Sequence, residues 1–145
     1  MVSSKFKKFK LAVLVSGRGS NLQAIIDSIE KSDLQAEIAL VISNVRDAFA
    51  LERAEKHGLE VLFLDPKSYP DRNEYEQALV KQIQAKSVNL ICLAGFMRVL
   101  GTTFINAFAD RIINIHPSLL PAFPGLNVQK RALEHGARYS GATVH

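Results

Sequence analysis

A chain of 145 residues with 48% hydrophobic and 22% charged side chains has the ordinary make-up of a soluble globular domain, and it is long enough to bury a real core. Much of its formal net charge of +4 comes from Lys5, Lys7, Lys8 and Lys10, ahead of the first apolar run; over about residues 1–9 this reads as a solvated arm, and the rest mixes acids and bases without the basic stripe a nucleic-acid binder needs. The single cysteine, Cys92, excludes an intrachain disulfide, and no apolar stretch is long enough for a membrane span or a signal-peptide core, so a cytoplasmic protein without membrane contact is expected.

The period of the apolar residues alternates along the chain. Leu11 to Val15 is continuously apolar and ends in glycine, which predicts a buried strand. Asn21 to Lys31 places Leu22, Ile25, Ile26 and Ile29 on one helical face. Ile38 to Ile42 predicts a second strand, Ala48 to His57 a short helix closed by Gly58, and Glu60 to Leu64 a third strand. Pro66 to Asp71 is a turn-rich connection. Asn73 to Lys86 predicts the longest helix, with Tyr75, Leu79, Ile83 and Val80 inward. Val88 to Ala94 is a fourth strand, in which Cys92 fits as a small core residue. A helix over Gly101 to Phe108, a strand over Arg111 to Ile115, a helix over Val128 to His135 stopped by Gly136, and the opening of a strand at Thr143 to His145 complete the series. Strands alternating with helices imply a mostly parallel sheet with helices on both faces, and ligands at the carboxyl ends of its strands.

Two loops carry chemistry. Gly17-Arg18-Gly19-Ser20-Asn21 lies between a strand and a helix, where free N–H groups and the positive end of the helix dipole suit a phosphate. Ser20 and Asn21 are the expected N-cap residues. A dinucleotide fingerprint is incomplete: Leu22 stands at the third glycine position, Ser43-Asn44 where a ribose-binding acid is wanted, and Asp47 comes a little late. The P-loop lysine is absent. Asn114 and His116 stand two apart on an extended segment and therefore share a face, with Pro117 stiffening the exit. An amide and an imidazole so placed suit stabilisation of an oxyanion in acyl transfer, or a capped histidine at a strand end. With no serine or cysteine nucleophile in a recognisable elbow, a substrate amine is the attacking group to consider. His57, His116, His135 and His145 show no metal-ligand spacing, and no metal is expected.

Ser16 to Ala24, Leu93 to Leu100 and Asn114 to Pro121 together resemble the phosphoribosylglycinamide formyltransferases, folate-dependent enzymes of purine synthesis, with the motifs in family order from about Leu11 to His145. The resemblance implies a three-layer, Rossmann-like formyltransferase fold in a single domain over residues 1–145. It implies formyl transfer from 10-formyltetrahydrofolate to glycinamide ribonucleotide, two small-molecule substrates, by a monomer or weak homodimer. Gly19, Ser20 and Asn21 would bind the substrate phosphate. Arg72, Met97, Arg98, Val99, Leu100 and Asn114 would contact the folate, with Arg72 facing its glutamate tail. Asn114 and His116 would be catalytic, His145 would lie close by, and Pro124-Gly125 would help shape the pocket. The family's catalytic aspartate and its last strands lie beyond the position of His145, so a C-terminally incomplete transferase is expected, impaired and marginally stable alone. The alternatives are a methionyl-tRNA formyltransferase, a formyltetrahydrofolate deformylase, or an inactive ligand-binding fragment; the phosphate loop argues against the first two.

Overall fold

A computed structural model describes residues 7–145; Lys5 of the basic arm lies outside the described residues. In chain order the first unit, which ends at Ile112, contains β1 (Phe9–Val15), α1 (Ser20–Glu30), β2 (Ala36–Ser43), α2 (Phe49–Lys56), β3 (Val61–Phe63), α3 (Arg72–Gln84), β4 (Leu90–Leu93) and α4 (Thr102–Ala107). The element types are those the hydrophobic period predicts, with ends moved by a residue or a few. β1 starts at Phe9 rather than Leu11, because the Lys10 N–H is held by Asn89 Oδ1 at 2.8 Å and Phe9 pairs with Ala36. The turn-rich stretch after β3 contains one short 3-10 turn, Pro66–Ser68.

β1 to β4 run parallel in the order β3-β2-β1-β4. Leu11 to Val15 are all 4% exposed or less, as a continuous apolar run demands of a strand covered on two sides. On one face Ala12, Leu14, Leu40, Ile42 and Ile91 form a single cluster with residues of α3 and α4, among them Tyr75, Leu79 and Phe104. The alternate residues Val13, Val15 and Val41 are equally buried outside that cluster. They face the other way, and there α1 and α2 pack on each other and on β2, burying Leu22, Ile26, Ala50 and Ala54. Cys92 is buried in β4, and that burial pushes its thiol pKa up.

α3 begins at Arg72 because Asp71 caps it, its carboxylate accepting the Glu74 N–H at 2.8 Å. Tyr75, Leu79 and Ile83 are buried as their spacing predicts, and Val80 packs at the edge of the cluster. Glu76 is buried with them, at 2% exposure.

The second unit, Ile113–His145, continues from β5 (Ile112–His116) through α5 (Val128–Glu134) to β6 (Thr143–Val144). β6 pairs with β5 antiparallel, Ile115 opposite Val144 and His116 opposite Thr143. Asn114 and His145 exchange both backbone hydrogen bonds, at 2.7 and 2.9 Å.

Candidate active site

β1 runs through Ser16 into the glycine loop and then directly into α1. The N-cap of α1 is Gly19, with φ 75 and ψ 30, and no side chain caps the helix. The expectation that Ser20 and Asn21 serve as cap residues is therefore corrected: both lie inside the first turn. Glycine is required at 19 on two counts. Its φ is left-handed, and a Cβ there would fall 2.6 Å from the Ala50 Cβ. The loop carbonyls are drawn toward α2, Gly17 O accepting the Ala50 N–H at 3.0 Å and Arg18 O accepting Arg53 Nε–H at 2.7 Å. In a trans peptide the N–H points opposite its carbonyl, so this bracing turns the Arg18 and Gly19 N–H groups away from α2. Residues 16–21, with Ala94, Gly95 and Met97, line a pocket of about 180 Å³. Unpaired N–H groups at a helix start are suited to a phosphate there.

Ser16, to which the sequence reading gave no role, joins three strand ends. Its hydroxyl accepts the Met97 N–H at 2.8 Å and donates to Asn44 Oδ1. The polar Ser43-Asn44 at the end of β2 thus has a structural part: Ser43 Oγ closes on the Val45 backbone, and Asn44 receives Ser16.

Past β4 the chain runs without regular structure through Met97 to Leu100. Met97 and Val99 are 67% and 81% exposed, whereas Phe96 and Leu100 pack against the core cluster. Arg98 lies over the Tyr75 ring at 5.2 Å. Arg72, the first residue of α3, is exposed and sits 3.8 Å from the Glu76 carboxylate through its Nε. Arg72 and the Met97–Leu100 segment are thus gathered around the first turns of α3. The Tyr75 hydroxyl is buried with no hydrogen-bond partner among the described residues. Its pKa is pushed up to about 12, by burial first, against which the Arg98 cation acts in the lowering direction.

In the second unit Asn114 and His116 both lie on β5. The Asn114 amide nitrogen is 3.2 Å from His145 Nε2, which brings His145 beside it. His116 Nε2 is 3.0 Å from the Phe123 carbonyl. A carbonyl only accepts, so Nε2 carries a proton and Nδ1 is the other working atom of that ring. The loop that supplies Phe123 folds back on Ser118, whose buried hydroxyl donates to Ala122 O at 2.6 Å and Phe123 O at 3.2 Å. Thr143 pins the same loop, donating to Ser118 O and accepting the Leu120 N–H. Pro124 O is held by Arg131 Nη1. Among the described residues no group of three or more His, Cys, Asp or Glu is placed to hold a metal ion, and no helix is long and apolar enough to cross a membrane.

The chain is similar over nearly its whole length to known proteins. The family described as Formyl transferase matches residues 9–145. The trifunctional purine biosynthetic protein adenosine-3 of Drosophila pseudoobscura pseudoobscura is 51% identical over 138 residues, 94% of this chain and 10% of that protein. The phosphoribosylglycinamide formyltransferase of Escherichia coli (strain K12) is 42% identical over 135 residues, 93% of this chain and 64% of that enzyme. The crystal structure of glycinamide ribonucleotide transformylase 1 from Symbiobacterium toebii superposes with a TM-score of 0.92 at 48% identity, covering 95% of this chain and 65% of that one. The chain therefore spans about a tenth of this trifunctional relative and less than two thirds of these two bacterial enzymes. With the glycine loop, the parallel sheet and the match over residues 9–145, this chain belongs to the formyl transferase family.

Proposed function

We propose that this chain transfers a formyl group from 10-formyltetrahydrofolate to the amine of glycinamide ribonucleotide, giving formylglycinamide ribonucleotide in purine synthesis. The observation that carries this reading is the braced glycine loop, a phosphate cradle, in a chain 42% identical to a phosphoribosylglycinamide formyltransferase. Gly19, Ser20 and Asn21 take the ribonucleotide phosphate on the helix N-terminus. Arg72, Met97, Arg98, Val99 and Leu100 receive the folate. The exposed Met97 and Val99 offer apolar contact to its ring, and Arg72 offers charge to its glutamate.

The substrate amine attacks the formyl carbon, a new C–N bond forms, and the carbonyl oxygen gains negative charge. The Asn114 amide has two N–H donors; one is directed at His145, and the other is free for that oxygen. His116 is anchored through Nε2 to the Phe123 carbonyl, so Nδ1 holds the mobile proton. As an imidazolium it stabilises the oxyanion. The proton lost by the attacking amine is passed on to the departing folate nitrogen as its bond to the formyl carbon breaks, through Nδ1 or water. The same reading makes the enzyme cytoplasmic, a monomer or weak homodimer, acting on small molecules alone without nucleic acid, membrane or metal.

Steady-state assays that follow deformylated folate by absorbance test the acceptor. The expected rate saturates with glycinamide ribonucleotide and vanishes without it. Equal release in its absence would make the protein a deformylase and overturn the proposal.

A further inference from the structure

We propose that Glu76 is a positioning residue for the formyl donor: its buried carboxylate fixes the exit of the Met97–Leu100 segment and steadies Arg72. The inference rests on the folate reading given above. Glu76 lies on the core face of α3 at 2% exposure, where a carboxylate is costly unless it is fully bonded. It is bonded to backbone. Oε1 accepts the Gly101 N–H at 2.6 Å and Oε2 the Phe104 N–H at 3.2 Å. These are the N-cap and third N–H groups of α4, which has no capping side chain of its own. A side chain from α3 thus supplies the cap, from 25 residues upstream of Gly101.

What that anchor holds is more than a helix start. The segment before Gly101 has no secondary structure and exposes Met97 and Val99. It is tied at its entrance by the Met97 N–H on Ser16 Oγ at 2.8 Å, in its middle by Arg98 over Tyr75, and at its exit by Glu76. The same carboxylate stands 3.8 Å from Arg72 Nε. Gly101 keeps the space open: a Cβ there would lie 3.2 Å from both Arg72 Nη2 and Glu76 Oε1. One buried group therefore touches both parts assigned to the folate and neither part assigned to the phosphate.

The test is the division of kinetic effects between the two substrates in the full chain, alongside thermal melting. Glu76→Gln puts an N–H donor where two acceptors are needed. It is expected to raise KM for 10-formyltetrahydrofolate by about tenfold or more, the scale of a lost charge-assisted hydrogen bond, with KM for glycinamide ribonucleotide within about twofold. Glu76→Asp, which keeps a carboxylate, recovers part of that loss. Ile38→Ala, buried at the far end of β2, serves as a destabilised control and leaves both KM values unchanged. Should Glu76→Gln fail to fold, Gly101→Ala crowds the same carboxylate and is expected to raise the donor KM alone. An unchanged donor KM in the folded variants, or equal shifts for both substrates, overturns the inference while leaving the functional reading intact. If the unsubstituted chain binds both substrates without turnover, the same division is read in the two Kd values; neither turnover nor binding refutes the functional reading, and the inference falls with it.

Discussion

Tyr75 shows how a single side chain ties stability to position. Its ring fills the core between the sheet and α3, touches Tyr69 edge-on and supports Arg98, but its hydroxyl finds no partner among the described residues. A buried hydroxyl without a hydrogen bond costs roughly 1–3 kcal/mol, so Tyr75→Phe is expected to melt no lower than the unsubstituted chain at neutral pH. The same burial gives a pH signature. The folded pKa, about 12, stands above the usual 10.0. Below pH 10 the phenol is neutral in both states and its contribution is constant. Between 10 and 12 the unfolded chain ionises and the folded one does not, so stability falls as pH rises, by roughly 2–3 kcal/mol at the upper end. Denaturant titrations at pH 9 and pH 11 would check this, and Tyr75→Phe should flatten the difference. At the reacting end, His116→Ala removes the group assigned to the proton and is expected to lower kcat by about 10²–10⁴. Both KM values should stay within a few-fold.

Among the elements, the glycine loop makes the sharpest demand on sequence. Gly19→Ala asks a side chain to adopt φ 75 and to occupy space held by Ala50. A loss of about 1–3 kcal/mol in stability is expected, with weaker binding of glycinamide ribonucleotide, readable by calorimetry. The loop was legible as a strand-to-helix turn because the apolar run ends in glycine and a helical period follows. Asn114 and His116 were legible as a pair because a strand puts alternate residues on one face. The bracing of the loop was not legible. Arg53 reaches Arg18 O across 35 residues, and nothing in the local pattern of α2 marks it. Glu76 was missed for a related reason: periodicity finds apolar residues facing the core and passes over a charged one on that face. The cap of α1 was misread because Ser20 and Asn21 are good capping residues, while the backbone strain is borne by the glycine before them. The antiparallel pairing of β6 also lay outside the pattern, since three residues carry no mark of direction.

At the scale of the whole molecule the proposed labour is divided along the chain. The first unit holds the phosphate loop, the folate segment and the anchors that brace each; the second holds Asn114, His116 and the loop that fixes the imidazole. Within the first unit the glycine loop and the Met97–Leu100 segment each come after a strand, and parallel strands bring such turns to their carboxyl ends. The division predicts that losing the chemistry leaves binding in place, because His116 is not among the groups assigned to either substrate's affinity. The most direct measurement follows an isotopically labelled formyl carbon from 10-formyltetrahydrofolate into product by mass spectrometry, in the unsubstituted chain and in His116→Ala. The account predicts label on the amine nitrogen of glycinamide ribonucleotide with the unsubstituted chain, and its near disappearance in the variant with phosphate-dependent binding retained. Label appearing only as free formate, or transfer proceeding equally well without the imidazole, would contradict it.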